Sequence, residues 1–185
     1  LVGNHLALQA VIGTQALILR ERGDLTAALS LLRHQEAICR QLKAERELSQ
    51  CLGIQGSVLR CQGDLDGALA LHKQQEALCR KGDDYLGFAD CLAGQGLVQQ
   101  CCGEYTAALS LFEAEERIRR QYGHTLALAV CLANQGRLHC RFQPPNLLTA
   151  ESLLKLALKT FDEAGVSTRR DQVRIWLADV ASSAP

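Results

Sequence analysis

Gln15, Gln55, Gln95 and Gln135 stand 40 residues apart, and most of the chain repeats around them. The copies read VIGTQALILRERGDLTAALSLL, CLGIQGSVLRCQGDLDGALALH, CLAGQGLVQQCCGEYTAALSLF and CLANQGRLHCRFQPPNLLTAESLL. A fixed period of this size marks a stacked array in which each unit is one supersecondary element. Such a chain acts through the surface its stack presents, because each unit contacts only its neighbours.

Within the second copy, Leu48, Cys51, Leu52, Gln55, Val58 and Leu59 form one stripe at helical spacing, interrupted by a single Gln. Gly53 and Gly56 lie inside it, although Gly in a helix interior costs about 1 kcal/mol against Ala. Gly13, Ala93 and Ala133, and likewise Ala16, Gly96 and Gly136, keep these positions small in the other copies, which predicts a second helix packed close by. Gly63 then ends the helix, and Asp64 is a candidate N-cap for the next. Leu65, Ala68, Leu69, His72, Gln75, Leu78 and Cys79 make the second stripe. Gly23–Asp24 and Gly103–Glu104 repeat the turn, and so short a turn makes the pair antiparallel. The fourth copy replaces the turn with Gln143-Pro144-Pro145-Asn146 and two extra residues, so a longer loop capped by Asn146 is expected there.

Composition agrees with an all-α core built from Leu, Ala, Val, Ile and Cys: apolar residues are 48% of the 185 and aromatics only 4%. Lys+Arg and Asp+Glu are 20 each, so there is no overall basic field for nucleic acid. No apolar run is long enough for a transmembrane helix. The chain starts at Leu1, contains no Met and shows no signal-peptide pattern, which suggests a segment of a longer protein. Of nine Cys, Cys51, Cys91 and Cys131 share one repeat position, Cys39 and Cys79 a second, Cys61 and Cys101 a third. No C-x-x-C occurs, so these read as buried structural thiols filling small apolar slots, with vicinal Cys101–Cys102 the only redox candidate. Many free thiols point to a reducing, cytoplasmic compartment.

The repeats resemble tetratricopeptide repeats (TPR). The small residue midway along the first helix is Ala16, Gly56, Gly96 and Gly136. A large apolar residue should follow three positions on. Leu19 and Leu59 fit, whereas Gln99 and His139 depart. The early Ala of the second helix is Ala28, Ala68, Ala108 and Ala150, with Leu32, His72, Phe112 and Leu154 four later. The period resembles the long-helix variety of kinesin light chain, Pins/LGN and nephrocystin-type proteins rather than the usual 34-residue repeat. The resemblance implies a right-handed α-solenoid of about nine helices in a single domain, 1–185. Its repeats would be approximately 5–44, 45–84, 85–124 and 125–165, with 166–185 a capping helix or a truncated fifth repeat.

The resemblance also implies a non-enzymatic interaction scaffold whose first helices line a concave, peptide-binding groove. Carried over by position, the groove candidates are Arg20, Gln50, Ser57, Arg60, Asp90, Leu97, Gln100, Asn134, Arg137 and Arg141. Arg20 and Arg60 are equivalent and would stack along one wall. With Arg137 and Arg141 they could meet carboxylates bidentately, so an acidic peptide is a candidate partner. The Lys that chaperone-cofactor repeats use to hold a C-terminal carboxylate is missing: Gly13, Gly53, Ala93 and Ala133 hold those positions. Against an enzyme, the five His are scattered, and there is no H-E-x-x-H and no phosphate-binding loop; no cofactor or metal is expected. His72 and His139 read as helix-packing residues. Glu113–Arg117 and Glu116–Arg120 read as a solvated face. The alternative function is an intramolecular sensor or spacer within a larger switch protein, and apolar array ends would permit weak self-association.

Overall fold

The computed structural model describes residues 2–183, with side chains over 11–182. Nine helices and no strand occur among the described residues. They are α1 (Val2–Glu21), α2 (Leu25–Leu42), α3 (Glu45–Gln62), α4 (Leu65–Lys81), α5 (Tyr85–Cys102), α6 (Tyr105–Gln121), α7 (Thr125–His139), α8 (Leu147–Glu163) and α9 (Ser167–Ser183). Helices α1/α2, α3/α4 and α7/α8 pack as expected pairs, and the class is an all-α solenoid of helix hairpins. Two compact units, 1–98 and 99–185, divide the chain within α5.

The turn inside a repeat has a clear cause. Gly63 sits at φ +86°, a left-handed conformation that costs a glycine little. Asp64 N–H then reaches back to Leu59 O at 3.0 Å, closing a Schellman-type end. The Asp64 carboxylate caps α4 by accepting from Gly67 N–H at 2.9 Å, and Asp24 does the same for α2. The turns after the first two repeats use the same device without glycine, Lys43 (φ +54°) and Asp83 (φ +52°) taking the left-handed position, which Gly123 and Gly165 hold after the third and fourth. Ala44 and Asp84 N–H bond Cys39 and Cys79 carbonyls, each at 2.9 Å. In the fourth copy α7 stops at His139, Pro144 and Pro145 lie between the helices, and Asn146 accepts from Thr149 N–H at 3.2 Å.

A hydrogen-bonded rung explains the four-fold Gln. Gln55 Nε2 donates to the Glu36 carboxylate at 2.8 Å, Gln95 to Glu76 at 2.8 Å, and Gln135 to Glu116 at 2.7 Å. The same carboxylates receive Arg40, Arg80 and Arg120 from one turn further along their own helices. Beside each Gln a thiol donates to the carbonyl of residue 32, 72 or 112: Cys51 at 3.2 Å, Cys91 at 2.8 Å, Cys131 at 3.2 Å. Burial pushes the Cys51 pKa up to about 11 and that of Cys91 to about 12, so these thiols keep the proton they donate. The recurring Cys is thus a small residue with a donor. Gln15 is exposed, whereas Gln55, Gln95 and Gln135 are buried.

Two expectations need correction. Cys61, Cys101 and Cys102 are exposed. They occupy the last turns of α3 and α5, where the chain leaves the packed interface for the glycine turn. The Glu116–Arg120 pair is no solvated decoration, because Glu116 also takes the bond from Gln135 and links two helices. Next to it, a pair the sequence reading passed over is fully buried: Arg119 Nε lies 3.4 Å from Glu115 Oε1, at 5% and 3% side-chain exposure.

Cores follow the stripes. In the first unit Ala16, Ala28, Leu29, Leu32, Cys51 and Val58 form one cluster, and Cys39, Leu48 and Leu52 another. In the second, Val173 and Val180 of α9 join Leu132, Ala150, Leu154 and Phe161. The final helix therefore packs on the α7/α8 pair, a place that a cap and the first helix of a fifth repeat would share. The small residues admit close neighbours: a Cβ on Gly136 would fall 2.8 Å from Leu154 Cγ and 3.1 Å from Ala150 O.

Candidate functional site

Within the first unit, helices α1, α3, α4 and α5 surround a groove of about 570 Å³. Its walls carry Arg20, Arg46, Gln50 and Asp90, with Leu17, Ile54 and Leu97 as apolar surface. Its floor is His72 and Gln75 of α4, reached past Gly53, Ala93 and Gly94. Thus five candidates drawn from the sequence, Arg20, Gln50, Ser57, Asp90 and Leu97, line one groove. Both signs of charge are present, since Asp84 and Asp90 accompany Arg20 and Arg46.

Arg20 and Arg60 do not behave alike. Arg20 Nη1 donates to Ser57 Oγ at 3.0 Å, and that hydroxyl donates to Ile54 O at 2.8 Å. The residue matching Ser57 in the next copy is Leu97, which offers no acceptor. Arg60 stays half-buried and outside the groove lining, although its charge reaches His72. The ladder expected from equivalence is therefore not reproduced as two matching groove arginines.

His72 is 3% exposed. Its Nδ1 lies 3.1 Å from Gln75 Oε1, and Nε2 has no protein partner. Burial holds its pKa below the ordinary 6.5, opposed by the Gln75 bond and reinforced by Arg60. Sequence reasoning took His72 for packing and left Gln75 out of the site. The signal available was paired: His replaces Leu or Phe at 72, and Gly replaces Thr14, Ile54 or Asn134 at 94.

The remaining candidates belong to the second unit. Gln100 and Asn134 are half-buried. The Arg137 guanidinium stacks 4.5 Å from the Trp176 ring centroid, so α9 covers part of the surface expected to receive a peptide. Arg137 and the exposed Arg141 line a cavity of about 330 Å³ with Cys140, Trp176 and Asp179. Half-buried His139 packs against Phe142 at 5.6 Å, and Phe142 meets Tyr105 edge-on at 6.3 Å. Among the described residues no group of three or more His, Cys, Asp or Glu could hold a metal ion, and no helix is long and apolar enough to cross a membrane.

With this geometry in hand, the fold has clear relatives among solved structures. BtubC (BKLC) from P. vanneervenii is similar over 96% of this chain and 81% of its own, with TM-score 0.69 at 12% identity. The nearly identical TPR-like repeats of a kinesin-light-chain-like protein from Podosopora anserina match 94% of both chains, with TM-score 0.65 at 13% identity. A form of the same repeats carrying one substitution gives TM-score 0.66 at 13% identity, covering 95% of each chain. At such identities the likeness is one of fold: this chain has the TPR-like repeat architecture. No protein-family model matches the sequence, and no curated protein matches it.

Proposed function

We propose that the chain is a non-enzymatic protein-interaction scaffold whose first unit receives a peptide segment of a partner protein. One observation carries the reading: the groove of about 570 Å³ has polar walls and a polar floor of His72 and Gln75, beside Gly53, Ala93 and Gly94. Glycines at helix-interior positions cost stability, and here Gly53 and Gly94 admit the Gln75 and His72 side chains, which present polar groups at the floor of the groove. Because Arg20 and Arg46 share the walls with Asp84 and Asp90, a peptide of mixed charge suits the groove better than a uniformly acidic one. The fold relatives support a scaffold by analogy of architecture alone.

The test is peptide binding with groove variants. Arg20→Glu and Asp90→Lys each reverse a wall charge at a partly or fully exposed position. Both should stay folded by circular dichroism and weaken a peptide selected on the parent chain about tenfold. Selected peptides that bind both variants as tightly as the parent would remove the groove from the interaction. The weight would then move to the alternative, an intramolecular sensor or spacer.

A further inference from the structure

Positions 32, 72, 112 and 154 are equivalent and hold Leu, His, Phe and Leu. Gly94, in the first helix of the following repeat, packs on His72, and the residues equivalent to Gly94 in the copies that follow Leu32 and Phe112 are Ile54 and Asn134. Size does not explain the pairing of His72 with Gly94. Phe112 is larger than His, is wholly buried, and leaves position 134 an Asn. At Gly94, by contrast, a Cβ would stand 2.2 Å from His72 Cε1 and 2.5 Å from Nε2. The imidazole therefore occupies the volume that a side chain of α5 would fill, and both His72 and Gly94 line the groove.

The ring's chemistry is fixed by its neighbour. An amide oxygen only accepts, so the contact with Gln75 Oε1 places the imidazole proton on Nδ1. Nε2 is then a bare lone pair, buried and without a protein partner. Leaving such an acceptor unmatched costs folding free energy, and Leu32 and Phe112 show that the repeat packs without one. The acceptor is therefore a feature that packing does not require.

Resting on the reading of this groove as a peptide site, we propose that His72 Nε2 is its recognition atom. It accepts a hydrogen bond from an uncharged N–H or O–H donor of the partner, an Asn or Gln carboxamide or a Ser or Thr hydroxyl. A carboxylate has no proton to give. A Lys or Arg would bring its charge to a buried floor already under the field of Arg60 and flanked by Arg20 and Arg46. Asp84 and Asp90 also line the groove, but a cation at Nε2 would still have to leave water for the buried floor. For the donor to reach the buried Nε2, the imidazole has to turn out from between Gly56 and Gly94 toward the groove that it lines.

The experiment selects a displayed random peptide library on the whole chain and resynthesises the enriched peptides. Binding is measured to the parent chain, to Arg20→Glu, and to the double variant His72→Phe/Gly94→Asn, which copies the residues that the next repeat holds at these positions, Phe112 and Asn134. The expected peptides share one Asn, Gln, Ser or Thr. Changing it to Ala should cost about tenfold on the parent and nothing on the double variant. In nitrogen-15 spectra of the histidine rings, the His72 Nε2 resonance should move when peptide is added. That measurement decides the matter on the parent chain even if the double variant unfolds. Peptides that lack such a residue, or a Nε2 resonance that stays put, overturn the role of His72. If Arg20→Glu still weakens those peptides, the groove reading stands without it. If no peptide is enriched, both readings fall.

Discussion

Helix α4 of the first unit and α6 of the second are the same element of successive repeats, yet they fill their interiors oppositely. On α4 the inward positions are His72, Gln75 and Cys79; on α6 they are Phe112, Glu115 and Arg119. The backbone frame is common to both, because the same thiol-to-carbonyl and Gln-to-Glu rungs fasten the next helix to each. In α6 an aromatic ring and a buried ion pair fill the layer. In α4 the ring is polar, its partner position is Gly94, and the layer opens onto a groove. The rungs specify the stack, and that frees the layer between them to be either filled or left open.

The largest effect should come from breaking the filled layer. Arg119→Ala leaves Glu115 buried without its cation and should cost about 3–5 kcal/mol. The only Trp, Trp176, lies in the second unit, so its fluorescence on denaturant unfolding reads the loss directly. Replacing both partners by their α4 counterparts, Glu115→Gln with Arg119→Cys, should recover most of that loss. If it recovers none, the two layers are not interchangeable and the comparison fails. Slightly smaller on average is the cost of opening the apolar stripe. Leu52 is 1% exposed and Leu92 7%, and either change to Ala should cost about 2–5 kcal/mol. Unchanged thermal unfolding would show that the stripe is misassigned.

How much of this was legible in the sequence follows from what a repeat can reveal. Periodicity gave the helix pairs, the glycine turns and the Asp64 cap, because each depends on local spacing. Equivalence was a weaker guide where the partner lies on another helix. Arg20 and Arg60 match in register, but Ser57 and Leu97 do not, so only Arg20 gains a hydroxyl. Cys61 and Cys101 recur like Cys51 and Cys91 but face out, since recurrence marks a shared environment without saying whether it is buried. The function of the recurrent Gln was illegible within one repeat because its acceptor, Glu36 for Gln55, belongs to the repeat before.

That rung yields a middle-sized prediction with its own control. Gln95→Ala removes a hydrogen bond to a carboxylate and should cost about 1.5–3 kcal/mol. Gln15→Ala, at the exposed equivalent, should lie within about 0.5 kcal/mol of the parent. Equal losses at both sites would mean that the rung contributes nothing and that Gln serves the helix itself. The rung also bears on acid stability. Although burial acts to raise the pKa of Glu36 and Glu76, the Gln and Arg hydrogen bonds outweigh it and hold both below 4.5. Their stabilisation is present above the ordinary carboxylate pKa and fades as pH falls through the folded one.

The smallest effect separates the two layers by pH. In the unfolded chain the His72 imidazole takes a proton near pH 6.5, while burial holds its folded pKa lower. Between those two values the unfolded state binds more protons, so stability is complete above about pH 6.5 and declines as pH falls toward the folded pKa. The slope for one proton is at most about 1.4 kcal/mol per pH unit. Phe112, at the equivalent position of α6, has no proton to take and supplies no such slope. Amide exchange over residues 65–81 should therefore quicken between neutral and mildly acidic pH in the parent chain, and His72→Leu should flatten that dependence. A slope that survives the substitution would trace the acid response to other groups, half-buried His139 among them, and would leave the open layer no more pH-sensitive than the filled one.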